Sequence, residues 1–127
     1  MRLRIVVAED NPAFLRELTA FLGNEFEIVA TATDGRAALE CIACCHPDVA
    51  VMDLEMPVLN GLEATRQLMQ VPPNPAVVIC SVETDPEIVD AAREAGALGY
   101  VFKPRMASDL IPAVKTAARG ESFVSPS

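Results

Sequence analysis

The sequence predicts a doubly wound α/β domain, in which helices cover both faces of a five-stranded parallel sheet. Short apolar runs alternate five times with segments whose apolar residues recur at helical spacing, which indicates five consecutive strand–helix units. Three of these runs, "IVVA", "VAVM" and "AVVIC", are continuously apolar, as is typical of parallel strands buried on both faces. With 127 residues, 51% of them hydrophobic, the chain is large enough for one core.

The first strand–helix unit has the clearest boundaries. The strand ends where an apolar run meets Glu9 and Asp10, and Asn11 can then cap a helix in which Pro12 suits the first turn. Gly23 can end this helix. Its apolar residues fall on one face, namely Phe14, Leu15, Leu18, Phe21 and Leu22.

The later units follow the same alternation, and the fourth helix repeats an Asp-Pro start and a glycine end. Pro112 removes a backbone hydrogen bond near the start of the last helix, so we expect that helix to start late or bend. The predicted strands cover residues 3–8, 27–33, 48–53, 76–81 and 97–102. The predicted helices cover residues 11–23, 34–44, 61–70, 85–96 and 108–120.

Charge and hydropathy narrow the class of protein. A net charge of −8 argues against a nucleic-acid-binding surface on this segment. No apolar run approaches the roughly 18 residues of a membrane helix, and the run after the two N-terminal arginines is too short for a signal peptide. We therefore expect a soluble cytoplasmic protein without membrane contact.

Three of the four cysteines crowd into the segment "CIACCH". A c-type haem signature would need a histidine where Cys45 stands, and a zinc site would need a second pair of ligands that the sequence lacks. Cys41, Cys44 and Cys45 instead share one face of the second predicted helix. We expect them to be small buried residues of that helix.

Polar residues lie at the ends of four of the five predicted strands. Glu9 and Asp10 follow the first, Asp53 ends the third, Ser81 ends the fourth, and Lys103 follows the fifth. Because ligands of an open parallel sheet bind at the carboxyl ends of its strands, we expect these groups to meet. Three close carboxylates need protons or a cation, and oxygen ligands suit Mg²⁺. A carboxylate beside Mg²⁺ can act as a nucleophile toward phosphorus, with a lysine and a hydroxyl stabilising the transferred group.

The motifs that carry these residues are "AED", "MDLEMPVLNG", "CS" and "YVFKP". In this order they resemble the receiver domain of two-component response regulators, over nearly the whole chain. The end of the sequence is similar to receivers of NarL/LuxR-type transcription factors. The resemblance implies a flavodoxin-like sheet with the strand order 2-1-3-4-5.

By this resemblance, Asp53 is the phosphoacceptor and Lys103 pairs with the phosphoryl group. Asp10 is implied to be a direct Mg²⁺ ligand, with Glu9 acting largely through water and Asp53 also contributing. The backbone carbonyl of Glu55 is the third implied protein ligand.

The resemblance also implies a conformational switch. Ser81 is its hydroxyl, Tyr100 is the aromatic residue that changes rotamer, and Pro104 is expected to follow a cis peptide bond. Two residues depart from the usual pattern. Glu9 replaces the commoner aspartate, and Val82 stands where the family usually has alanine or glycine, so a branched side chain could narrow access for the phosphodonor.

Residues 1–120 are accordingly expected to form the receiver domain, and residues 121–127 the start of a linker to an output domain absent from this sequence. The implied partners are a sensor histidine kinase, a second copy of the chain after phosphorylation, and DNA through that output domain alone. The chain is expected to catalyse only its own phosphorylation and dephosphorylation.

The acidic motifs are also compared with those of a phosphatase, a flavin protein and a pseudo-receiver. A haloacid-dehalogenase-like phosphatase would want Asp-x-Asp where the sequence has Asp53 and Glu55, and a flavin protein would want a Ser/Thr/Gly-rich loop where "AEDNPA" is acidic. A stand-alone receiver, or a pseudo-receiver that binds partners without phosphorylation, is a further alternative. Retention of Asp53, Ser81 and Lys103 argues against the pseudo-receiver.

Overall fold

The computed structural model describes residues 2–126, which form a single parallel sheet with helices on both faces. The strands are β1 (Arg4–Ala8), β2 (Glu27–Ala32), β3 (Val49–Met52), β4 (Ala76–Ser81), β5 (Gly99–Phe102) and β6 (Phe123–Val124). The helices are α1 (Pro12–Gly23), α2 (Gly35–Cys45), α3 (Gly61–Gln70), α4 (Pro86–Ala95) and α5 (Met106–Ala118). The strand order is β2-β1-β3-β4-β5-β6, so the predicted order of five is confirmed and a sixth strand is added.

Two apolar layers cover the two faces of the sheet. On one side, Ala38 of α2, Ala64 of α3 and Ala92 of α4 pack against the strands, and on the other side Leu18 of α1 and Leu110 of α5 do so. Because successive residues of a strand point to opposite faces, the continuously apolar strands β1 and β3 supply both layers. This arrangement is the doubly wound architecture that the apolar runs predicted.

Side-chain caps fix the starts of the first four helices, and therefore the loops at the carboxyl edge of the sheet. The side chain of Asn11 accepts a hydrogen bond from the Phe14 N–H at 3.0 Å, which confirms the predicted cap of α1. Asp34, Asn60 and Asp85 accept comparable bonds at the starts of α2, α3 and α4.

The last helix starts earlier than the sequence predicted. A 3₁₀ turn at Lys103–Arg105 leads directly into α5, which begins at Met106 although Pro112 lies inside it. The expected late start is wrong, because the turn before the helix continues into it and the proline removes only one backbone bond.

The polar tail, predicted as the start of a linker, contributes the sixth strand. The Phe123 N–H donates to the Leu98 carbonyl and the Ser125 N–H to the Tyr100 carbonyl, each at 2.9 Å. Residues 123–125 are thus part of the receiver-like fold, and a linker that follows them stays a prediction.

The cysteines of α2 lie on the expected helix but are not buried as predicted. Cys44 is exposed, while Cys41 and Cys45 are half-buried. Cys41 lies near the edge strand β2, with its Sγ 3.8 Å from the Thr31 carbonyl. Within residues 2–126, no helix is long and apolar enough to cross a membrane.

Candidate functional site

Asp53 lies immediately after β3, and backbone hydrogen bonds hold this segment to β1 and to the start of α3. Its N–H donates to the Ala8 carbonyl at 3.0 Å, and the Gly61 N–H donates to the Leu54 carbonyl at 2.8 Å. A Cβ atom on Gly61 would overlap the Asp53 carbonyl oxygen, so only glycine allows this close approach of α3. The Asp53 side chain is therefore rigidly placed, with 8% of the residue exposed.

Lys103 reaches the same point from the end of β5. Its Nζ donates to Glu9 Oε1 at 2.8 Å and to Asp53 Oδ2 at 3.1 Å. The ammonium group also lies 4.4 Å from the centroid of the Phe14 ring. The lysine thus joins residues that follow β1, β3 and β5 into one cluster, as their positions at strand ends predicted.

Burial and ion pairing have opposite effects on the pKa values of Glu9 and Lys103. Burial raises the pKa of the fully buried Glu9 carboxyl, although the hydrogen bonds from Lys103 and from the Asn11 N–H oppose this rise. Burial alone would lower the pKa of Lys103, but its hydrogen bonds to Glu9 and Asp53 bring the net change to an increase. Lys103 therefore remains a cation at neutral pH.

The three predicted acids meet in a group that fits a hard cation. Carboxylate oxygens of Glu9, Asp10 and Asp53 lie within 4.8 Å of one another, the one such group of potential metal ligands in residues 2–126. Each Glu9 oxygen already accepts a protein hydrogen bond, from Lys103 and from the Asn11 N–H. Asp10 is exposed, and one Asp53 oxygen has no protein donor among the described residues. Oxygen ligands of this kind suit Mg²⁺. Direct binding by Asp10 and Asp53, and binding through water by Glu9, stay predictions.

Ser81 and Tyr100 lie beside this cluster and share a partner in the loop after β4. The Ser81 Oγ accepts a hydrogen bond from the Glu83 N–H at 3.0 Å, and the Tyr100 hydroxyl donates to the Glu83 carbonyl at 2.8 Å. Tyr100 is fully buried, and burial raises its pKa. The structure therefore has the tyrosine in its inward orientation, and the expected movement between two orientations stays a prediction.

Of the remaining predicted residues, Pro104 is a correction. The cis peptide bond found in residues 2–126 joins Pro72 to Pro73, so the bond before Pro104 is trans and the prediction is wrong. Pro104 is the second residue of a 3₁₀ turn, whose φ values match the fixed φ of proline. Glu55 and Val82 are both exposed. Metal binding by the Glu55 carbonyl stays a prediction, as does the narrowing of phosphodonor access by Val82.

Sequence reasoning missed two contributors to this edge of the sheet. Phe14 was predicted as part of the apolar face of α1, yet its ring faces the Lys103 ammonium. Ser125 is buried and its Oγ accepts a bond from the N–H of Phe102, the residue before Lys103. The role of Phe14 could have been inferred from its position in the first turn of α1, shortly after Asp10. Nothing in the sequence of the tail indicated the role of Ser125.

A family model described as "Response regulator receiver domain" matches residues 5–115. The chain belongs to the response regulator receiver domain family. Its relatives include the transcriptional regulatory protein DegU of Brevibacillus brevis, which is 38% identical over 127 residues, or 98% of this chain and 54% of DegU.

A second relative is named as an enzyme. The protein-glutamate methylesterase/protein-glutamine glutaminase of Geobacillus kaustophilus is 41% identical over 106 residues, which cover 80% of this receiver domain and 30% of that protein. The solved signal receiver domain of the response regulator NarL from Mycobacterium tuberculosis is 31% identical, with a TM-score of 0.89 over 94% of this chain and 98% of that one. The receiver domain spans about half the length of DegU, and less of the methylesterase.

Proposed function

We propose that this receiver domain accepts a phosphoryl group on Asp53 from a phosphohistidine of a sensor kinase and changes conformation in response. The supporting observation is the asymmetry of the Asp53 carboxylate. One oxygen, Oδ2, is paired with Lys103, while the other has no protein donor among residues 2–126, and the carboxylate belongs to the group of acids. Because every fully enclosed side-chain oxygen in residues 2–126 has a hydrogen-bond partner, that second oxygen is at least partly exposed, which supports access for a phosphodonor.

The chemical step is a displacement at phosphorus. The free Asp53 oxygen forms a bond to the phosphorus atom as the bond from phosphorus to the histidine nitrogen breaks, and that nitrogen keeps the electron pair and takes up a proton from water. Bound Mg²⁺ would offset the negative charge of the phosphoryl oxygens. Lys103 can donate to a phosphoryl oxygen in place of Asp53 Oδ2, because its ammonium already lies at the carboxylate.

Ser81 supplies the response to the new group. Its hydroxyl accepts from the Glu83 N–H, so its own proton is available to a phosphoryl oxygen. Movement of Ser81 toward that oxygen changes the loop that also holds Tyr100 through the Glu83 carbonyl. A phosphoryl group that favours the moved conformation by about 2–3 kcal/mol, a factor of roughly 30 to 160, would shift a minor state into the majority.

The output lies outside this domain. We propose that residues 1–120 together with β6 are the receiver of a cytoplasmic regulator, that residues beyond β6 lead to a DNA-binding domain as in NarL/LuxR-type proteins, and that phosphorylation promotes a homodimer. The name DegU supports a transcriptional output, whereas the methylesterase relative shows that receivers of this similarity also occur in proteins named as enzymes.

The test is phosphorylation with acetyl phosphate and Mg²⁺, followed by intact mass measurement. The wild-type domain should gain one phosphoryl group that hydroxylamine removes, as expected of an acyl phosphate. Asp53→Asn should gain none, while the control Asp90→Asn, at an exposed position of α4, should gain as much as wild type. A mass gain that survives in Asp53→Asn would place the acceptor elsewhere, and Ser81 would be the first residue to examine.

A further inference from the structure

An aromatic ring holds the Lys103 ammonium group on a third side. The cation donates hydrogen bonds to Glu9 and Asp53, and its Nζ lies 4.4 Å from the centroid of the Phe14 ring. At this distance the electron-rich face of the ring attracts a positive charge. Phe14 is half-buried in the first turn of α1, and its own N–H is bonded to the side chain that caps the helix, Asn11. The helix start therefore sets the position of the ring.

The three contacts of the ammonium group differ in what happens to them during phosphoryl transfer. A lysine side chain has four rotatable bonds, so holding its ammonium group at one point costs conformational entropy. The hydrogen bond to Asp53 must be exchanged when that carboxylate becomes an acyl phosphate. The contact with Phe14 involves no exchangeable partner, so it can persist through the exchange.

We infer that Phe14 is a positioning residue, which holds the Lys103 ammonium group beside Asp53 while that group changes its hydrogen-bond partner. This role rests on the proposed function, because it acts on the same transfer. It also shields the cation from water, as only 17% of the Lys103 side chain is exposed. Weaker screening strengthens the attraction of Lys103 for the developing phosphoryl charge.

A graded series separates this role from simple space filling. Fluorine atoms withdraw electron density from the ring and weaken its attraction for a cation, with little change in shape. Phe14 is replaced in turn by mono-, di- and trifluorophenylalanine, and the initial rate of phosphorylation by acetyl phosphate is measured at fixed Mg²⁺. The rate should fall with each fluorine, Phe14→Leu should be about two- to tenfold slower than wild type, and Phe14→Tyr should restore most of the rate.

The matched control is the same fluorine series at Phe21, which is half-buried on the same helix and packs in the apolar layer beneath it. That series should leave the rate unchanged. A second measurement is independent of phosphorylation. In ¹⁵N-edited spectra, the Lys103 ammonium protons should be shielded by the ring and should lose that shielding in Phe14→Leu but not in Phe21→Leu.

The outcomes separate the two proposals. The positioning role alone is overturned if the wild-type domain is phosphorylated but the rate does not fall along the fluorine series at Phe14. The same conclusion follows if the rate falls equally along the series at Phe14 and at Phe21. Unshielded ammonium protons in the wild type also overturn the positioning role. A wild-type domain that takes up no phosphoryl group overturns the proposed function, and the positioning role with it.

Discussion

At the scale of single residues, Val58 stands out because its backbone is in the left-handed region while its side chain contacts little. Its φ is 70°, and 76% of the residue is exposed. A β-branched residue is disfavoured in this conformation because its Cβ atom approaches the following carbonyl oxygen. Val58 lies in the loop between Asp53 and α3, so the strain is located beside the proposed acceptor.

Replacing Val58 by asparagine should raise the free energy of unfolding by about 1 kcal/mol, because asparagine tolerates left-handed backbone. Urea unfolding followed by circular dichroism measures this change. The control Val71→Asn replaces an equally exposed valine, 71%, whose φ is −127°. A gain at both positions would mean that polarity, rather than backbone conformation, accounts for the effect.

The sequence predicted which residues meet at the site but not the details of their contacts. The carboxyl ends of parallel strands meet at one edge, so the order of Glu9, Asp53 and Lys103 along the chain was enough to bring them together. The trans bond before Pro104 was not predictable in this way. The two isomers of a bond to proline differ by only about 1 kcal/mol, and the surrounding turn selects between them.

At the scale of elements, the short strand β6 is held by one buried side chain. The Ser125 Oγ accepts from the Phe102 N–H at 3.2 Å and donates to Asp109 Oδ2 at 2.7 Å. Asp109, in the first turn of α5, also accepts bonds from Arg105 and Ser108. The bond from Ser125, followed by those from Arg105 and Ser108, lowers the pKa of the Asp109 carboxyl, although burial opposes this.

Ser125→Ala should lower the free energy of unfolding by about 1–2 kcal/mol at pH 7, because it removes a charge-assisted bond to a buried carboxylate. A carboxyl whose pKa is lowered by folding stabilises the protein above its unfolded pKa of about 3.9, and this contribution is lost as the pH falls through the folded pKa. The difference between wild type and Ser125→Ala should therefore shrink below about pH 4. Urea unfolding at pH 7 and at pH 3 tests this.

The control for this change is Ser122→Ala, at an exposed position of the same tail, which should change stability little at either pH. A difference at Ser125 that stays constant with pH would contradict a role for the Asp109 charge. The sequence could not have predicted β6, because two residues are too few to show a strand pattern and its pairing depends on contacts with β5 and α5.

At the scale of the whole molecule, the net charge of −8 and the group of three acids lead us to expect that a bound cation would stabilise the domain. Mg²⁺ at ten times its dissociation constant should stabilise the domain by about 1.4 kcal/mol, since it binds the folded state alone, and should raise the melting temperature by about 5 °C. Asp10→Asn should raise the metal-free melting temperature by relieving repulsion and should lose most of the Mg²⁺ effect. Differential scanning fluorimetry measures both.

The control Asp90→Asn changes the net charge equally but away from the site, and should keep the full Mg²⁺ effect. If Asp90→Asn and Asp10→Asn respond alike, the ion acts by general screening instead of by binding at the acids. The fold class was predictable at this scale because the alternation of apolar runs and helical segments is typical of a doubly wound parallel sheet. The strand order was implied only by the resemblance to receiver domains, and the distances between the acids depend on loop geometry.

Strand β6 also affects which edge of the sheet is available for pairing with another chain. Without it, the edge of β5 would present unpaired backbone groups, which are a template for strand addition and aggregation. The two residues of β6 cover part of that edge, Ser125 is tied down, and Pro126 has no N–H to offer a further strand. A chain that pairs directly with β5 must first displace β6, whereas the opposite edge strand, β2, presents six residues.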